Sequence, residues 1–313
     1  MSYKILPQDQ TFEDALGPGT GRYLATGHKA VDRRLRHLEV EVDGSRVVAS
    51  AVGTASYPVN WSTKPGKVLV PHLSSIDAFA FAEKTLVLAL SSENHEATGL
   101  HILEAELRAG SKPHGELRQI PVRCVVQNRH ETDVIAAECT VGGIIVRLLV
   151  RAQGDQYRRE RGESESLLGA RRNVEVVSTS SQAWLSTFEE PNASAEFVDA
   201  RHIPDLTTSD ELLSQLSTVD LLALSAQQAQ VLIYRIGGVS RAEADTLWMR
   251  KAVFRTPPRE AQISSVDMRL EIVKATSLVR GEQQWKLFEV TATTSTGASA
   301  AASLAYRAAP TTR

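Results

Sequence analysis

The sequence predicts an α+β protein made of one unit written twice, each copy a curved antiparallel sheet wrapped around one long apolar helix. This is the double hotdog arrangement. Three observations lead there. The stretch from His72 to Leu90 returns 143 residues later as Gln215 to Ile233, with Leu, Ser, Asp and Ala at matching places. Both stretches read as helices that are apolar around most of their circumference. The first carries only Glu83 and Lys84 as charges in its body and the second carries none between Leu221 and Tyr234. A helix of that kind has no polar face to turn to water and needs a sheet wrapped around it. Finally, strand-like runs flank each helix in the same order.

In chain order, Leu38 to Val42 alternates with period two, Asp43-Gly44 signals a tight turn, and Arg46 to Val52 follows, so the pair predicts a hairpin. A proline-bounded loop, Tyr57 to Gly66, leads to the first helix. Strands are expected at Ile102–Arg108, Pro121–Gln127, Asp133–Cys139 and Gly143–Arg151, the last two joined at Thr140 to Gly143. Mixed charges over residues 153–172 predict a solvated linker between a first repeat, residues 1–152, and a second, residues 173–313. In the second repeat, Asn173–Thr179 and Gln182–Phe188 read as strands and Asn192–Ser214 as the loop before the helix. Gly237-Gly238 stops that helix, and strands follow at Leu247–Arg255, Val266–Lys274, Gln284–Thr293 and Ala298–Arg307.

With 313 residues, 42% of them hydrophobic, the chain can bury two ordinary cores. A net charge of −2 gives no reason to expect nucleic acid or an anionic membrane as partner. No run is long enough to span a bilayer and the first residues lack a secretion signal, so a cytoplasmic protein is expected. Cys124 and Cys139 stand alone in strand-like runs and read as two buried thiols. The segment Gly17-Pro18-Gly19-Thr20-Gly21-Arg22 has neither the strand nor the helix that a phosphate-cradling glycine loop requires, and reads as a flexible N-terminal turn. No metal or cofactor is implied.

The block Tyr57-Pro58-Val59-Asn60-Trp61-Ser62-Thr63-Lys64, followed by Pro71-His72-Leu73-Ser74-Ser75-Ile76-Asp77-Ala78, resembles the avirulence D family, whose members are linked to making syringolides. The likeness covers nearly the whole chain. It implies an enzyme of specialised metabolism. Such an enzyme would take a β-ketoacyl thioester, on coenzyme A or an acyl carrier protein, and condense it with a sugar-like hydroxylated acceptor. The product would be of syringolide or butyrolactone type. The A-factor synthase family, also of two hotdog repeats, would be the nearest mechanistic relative. Within the same fold, the alternatives are a dehydratase or thioesterase on a carrier-bound acyl chain and a non-catalytic binder of a small hydrophobic ligand. An oligomer is possible in each case.

In hotdog dehydratases an acid near the start of the central helix works with a histidine. Asp77 and Asp220 occupy that position here, and His72 precedes the first of them. A carboxylate there suits a general base, and an imidazole suits a proton shuttle near neutral pH. Ser74 with Asp77, and Ser217 with Asp220, equally fit a helix capping box, in which serine and acid bond each other's backbone N–H. His72 faces Gln215 across the repeat and Glu83 faces Ala226, so the halves are chemically unequal, as one active site in a duplicated fold requires. Glu83, on an enclosed helix, needs a partner or a function. Tyr57, Trp61, Ser62 and Lys64 are the expected substrate-binding residues, since aromatic rings and a lysine suit a pocket or a phosphate. His202, in the matching loop of the second half, is read as an exposed loop histidine.

Overall fold

The computed structural model describes residues 12–44, 46–91, 100–128, 134–152, 171–174, 199–202, 217–257, 266–281 and 283–308. The expected linker, apart from its last two residues, lies outside these, as do the Gln182–Phe188 strand and most of the Asn192–Ser214 loop. The chain packs as two compact units. One comprises Val31–Tyr57 and Pro71–Leu185, and the other Met1–Ala30, Pro58–Val70 and Ser186–Arg313.

In the first of these units, β1 (Asp32–Asp43) and β2 (Arg46–Ser56) form the predicted hairpin, with Gly44 at φ 55° in the turn. Helix α2 (Ser75–Ser91) follows, then β3 (Leu100–Arg108), β4 (Ile120–Asn128), β5 (Val134–Val141), β6 (Ile144–Ala152) and β7 (Arg171–Val174). The strand order is β7-β1-β2-β4-β5-β6-β3, antiparallel throughout. Gly142 and Gly143, at φ 53° and 90°, make the tight β5–β6 turn that glycine alone adopts without strain. Helix α2 packs on β1 through β6. Its Ile76, Ala78, Phe79, Ala80, Phe81, Ala82, Leu86, Ala89 and Leu90 are all buried. The helix lies so close to β2 that a Cβ on Gly53 would come within 3.0 Å of the Phe81 ring.

The other unit opens with α1 (Phe12–Leu16) and contains β8 (Asp199–His202), α3 (Thr218–Ile236), β9 (Trp248–Arg255), β10 (Val266–Arg280), β11 (Gln283–Thr294) and β12 (Ser299–Arg307). Its strand order is β9-β12-β11-β10-β8, again antiparallel. Helix α3 packs on β9 through β12 and ends at Ile236, with Gly237 as C-cap and Gly238 at φ 63°. The predicted α+β class, hotdog-like with an antiparallel sheet and one long apolar helix per half, is therefore present.

Four expectations need correction. Residues 171–174, of which 171–172 were expected to end the linker and 173–174 to open the first strand of the second repeat, form a strand that pairs with the outer edge of β1 and satisfies its free backbone groups. His202, read as a loop residue, belongs to β8, where it pairs with Val266. The N-terminal glycine segment is packed rather than flexible: Arg22 is 2% exposed and its guanidinium bonds the Gln227 side chain, while Thr63 N–H donates to the Gly21 carbonyl at 2.9 Å. Cys124 and Cys139 are directly opposed on β4 and β5 and joined as a disulfide, because the β4–β5 register places both side chains at the same point of the buried face.

Candidate functional site

The entrance of α2 is built around Asp77. Ser74 and Asp77 form the predicted capping box. The Asp77 N–H donates to Ser74 Oγ at 3.1 Å, and Asp77 Oδ2 accepts from the Ser74 hydroxyl at 2.6 Å and the Ser74 N–H at 3.2 Å. Two further residues converge on the same carboxylate. Arg33 donates from Nε at 2.7 Å and Nη2 at 2.5 Å to Oδ1, both side chains being fully buried. The Tyr57 hydroxyl, at the end of β2, lies within hydrogen-bonding reach of Oδ2 and, at 2.9 Å, of the His72 carbonyl. Both Asp77 oxygens are thus engaged by donors, which suits a carboxylate that orients its neighbours more than one that removes a substrate proton. His72, Tyr57 and Asp77 are brought together, with the link to His72 running through its backbone; the residue itself is half-buried.

Arg33 was not legible in the sequence. Period two carried back from Leu38 and Val40 points Arg34 and Arg36 inward and Arg33 outward. A bulge between Arg36 and Glu39, with His37 at φ 52°, inserts the odd residue that reverses this phase, so Arg33 and Leu35 face the core together with Leu38 and Val40. Two consecutive exposed polar residues, Arg36-His37, between two alternating runs are the one local signal of the bulge.

Glu83 stands six residues beyond Asp77, about 9 Å along the helix and roughly 240° around it, so the two acids face different directions. It shares a half-buried stripe of α2 with Lys84, Val87 and Leu88. Part of the residue's surface remains open, but the carboxyl itself is densely surrounded, and that desolvation pushes it up to about 7 against a small opposing pull from Lys84.

Asp220 repeats the cap on α3: its N–H donates to Ser217 Oγ at 3.1 Å, and its Oδ2 accepts from the Ser217 N–H at 3.2 Å and from the Ser217 hydroxyl. Replacing Ser217 by alanine is expected to cost about 1 kcal/mol of stability in urea unfolding and to leave any catalytic rate unchanged. A rate loss larger than the fraction unfolded would instead make this cap part of the chemistry.

Of the expected substrate-binding residues, Trp61, Ser62 and Lys64 belong to the unit that contains α3. Trp61 is buried and meets the Tyr23 ring edge-on at 5.5 Å, and a Cβ on Gly27 would strike its carbonyl. Its role there is to clamp the loop onto the N-terminal segment. Ser62 is half-buried, and Lys64 donates from Nζ to the Ala244 carbonyl at 3.2 Å. Burial, followed by the nearby charges of Arg241 and Lys67, lowers Lys64 to about 8. Among the described residues no group of three or more His, Cys, Asp or Glu is placed to hold a metal ion, and no helix is long and apolar enough to cross a membrane.

Two sets of antiparallel strands, each carrying one long apolar helix that begins at the same Ser–Asp cap, define a hotdog-like α+β protein. The chain belongs to the Pseudomonas avirulence D protein (AvrD) family, whose model matches residues 8–173 and 204–309. No curated protein matches it. Among solved structures it is similar to the 12:0-ACP thioesterase from Umbellularia californica, at 8% identity and a TM-score of 0.46 over 74% of this chain and 87% of that one. An acyl-ACP thioesterase from Bacteroides thetaiotaomicron gives 8% identity and 0.45 over 83% and 98%. A Mycobacterium tuberculosis protein described as a double hotdog fold gives 10% and 0.37 over 76% and 83%. The fold is assigned from the strands and helices themselves.

Proposed function

We propose that the protein is an enzyme performing acid–base chemistry on an acyl thioester. The feature that carries this reading is Glu83, a carboxyl on the central helix whose desolvation raises its pKa to about 7. A general base is most effective when its pKa lies near the working pH. With Glu83 as base, water loses a proton to the carboxylate as its oxygen attacks the thioester carbonyl. The C–S bond then breaks and the departing sulfur takes up a proton. Asp77, held by Arg33, Ser74 and Tyr57, acts in this reading as a positioning residue that sets the Tyr57 hydroxyl and the His72 backbone. A single titrating carboxyl suffices to activate water, so hydrolysis of a carrier-bound acyl chain is the simplest reaction for these residues; in a dehydration the same carboxylate would take the α-proton as the β-hydroxyl leaves as water.

Membership of the avirulence D family favours a second reading, condensation of a β-ketoacyl thioester with a sugar-like acceptor to a syringolide- or butyrolactone-type product. The acceptor hydroxyl would then take the place of water and give its proton to the same base. Incubation of the protein with β-ketoacyl thioesters, with and without hydroxylated sugars, separates the readings when thiol release and products are followed together by mass spectrometry. Thiol release that needs no acceptor supports hydrolysis, and an acyl–sugar adduct supports condensation. Glu83→Gln is expected to reduce either rate by about 10²- to 10⁴-fold. Full turnover in Glu83→Gln removes Glu83 from the mechanism, and the absence of both thiol release and a dehydrated acyl chain with every thioester, ligand binding being intact, leaves a non-catalytic binder.

A further inference from the structure

We propose that Lys64, Lys67 and Arg241 form a binding site for a phosphate ester, namely the 4′-phosphate of the pantetheine arm that coenzyme A and acyl carrier proteins share; the choice of that ester rests on the acyl-thioester reading of the function. The three cations come from two loops of one compact unit, residues 58–70 and the turn after α3. Lys64 and Lys67 both direct Nζ at the Ala244 carbonyl, at 3.2 and 2.9 Å, and Lys67 also reaches the Glu243 carbonyl at 3.0 Å. Two ammonium groups that share one carbonyl oxygen are held close together, although like charges repel. Arg241 reinforces the charge, donating to the carbonyls of Thr63 at 2.9 Å and Gly21 at 3.1 Å.

Every one of these bonds ends on a neutral acceptor. The nearest carboxylates are committed elsewhere: Asp245 accepts from Arg307 at 2.9 Å and from the Thr246 N–H, and Glu243 caps Ser240 through both its N–H and its hydroxyl. Among the described residues, three positive charges are therefore gathered with no carboxylate hydrogen-bonded to any of them, and Asp245, which lies close enough to act on Lys64, offsets them only in part. Donor capacity also remains. An ammonium has three N–H groups and a guanidinium five, so these bonds leave Lys64 with two, Lys67 with one and Arg241 with three. Burial is the main cause of the lowered pKa of Lys64, with Arg241 and Lys67 adding to it and Asp245 opposing it, and a phosphate anion placed between the cations would reverse part of that effect. A phosphate ester matches both the charge and the number of free donors.

The site is tested by calorimetric titration of the full chain, at low ionic strength, with 4′-phosphopantetheine, with pantetheine and with inorganic phosphate. The phosphorylated arm is expected to bind at least about tenfold more tightly than pantetheine, with an advantage that shrinks as salt is added. Inorganic phosphate is expected to compete with it. In Lys67→Gln the advantage falls severalfold, and in Lys64→Gln/Lys67→Gln it disappears while pantetheine affinity is unchanged. Where the double variant fails to fold, amine labelling of the wild type read by mass spectrometry replaces it: phosphopantetheine, but not pantetheine, is expected to protect Lys64 and Lys67. Equal affinity of wild type for the two arms overturns the proposal, as does an advantage that survives in the folded double variant or labelling that phosphopantetheine does not slow. Turnover of an acyl thioester without a phosphate, such as an acyl-N-acetylcysteamine, is scored separately. Its presence beside a failed phosphate test rejects this site alone, and its absence beside a positive one rejects the proposed chemistry alone.

Discussion

Arg33→Met is expected to lower the stability of the protein by about 3–5 kcal/mol, because it leaves the Asp77 carboxylate charged and buried without its partner. Both side chains are fully buried and joined through two guanidinium nitrogens on one oxygen. Neither ion can recover its hydration without opening the sheet. Asp77→Asn keeps the size of the side chain and most of the cap but strands the guanidinium instead, and is expected to cost a similar amount. The double variant Arg33→Met/Asp77→Asn carries no stranded charge, and its loss should be smaller than the sum of the two single losses by at least about 2 kcal/mol. Urea unfolding of the four proteins measures this coupling. A double variant whose loss equals the sum would mean that the two residues stabilise the fold independently, against the geometry of the pair.

The second large effect concerns pH. In the unfolded chain the Glu83 carboxyl ionises near 4.5, and in the folded protein it does so near 7. Between those values the folded state holds a proton that the unfolded state has lost, so stability falls as pH rises through the window. Below about 4.5 the contribution is fully present, and above about 7 it is gone. The total is bounded at about 3.5 kcal/mol by roughly 1.4 kcal/mol per pH unit, and the part of the residue open to solvent reduces it. Glu83→Gln does not titrate. It should match wild type below the window, become progressively more stable than wild type across it, and hold a constant advantage above it. Denaturant melts at half-unit pH steps from about 4 to 8 provide the comparison; parallel curves for the two proteins would show that Glu83 ionises at its ordinary pKa. The same substitution is expected to slow the reaction, so a destabilising carboxyl would be retained for its chemistry.

Much of the architecture follows from sequence alone. The repeat of His72–Leu90 at Gln215–Ile233 identifies both long helices because their apolar residues recur at matching places over most of the circumference. The Ser74–Asp77 and Ser217–Asp220 caps are local devices, set by residues three apart, and both form as their spacing dictates. The strands of β3 to β6 and β9 to β12 were legible for the same reason, since period-two alternation and glycine turns are properties of neighbouring residues.

What the sequence could not decide depends on residues distant in the chain. Arg33 meets Asp77 across 44 positions, and it does so only because a bulge of one residue at His37 reverses which side of β1 faces inward. The opposition of Cys124 and Cys139 depends on the β4–β5 register, and the convergence of Lys64, Lys67 and Arg241 on two loops brought together by folding. Sequence by itself determined the helices, their caps and the candidate acids, because the interactions that form them are local. Tertiary structure decided which of those acids is locked in a buried ion pair and which is left to titrate near neutrality, because desolvation and charge pairing are set by the groups that packing brings to each carboxyl.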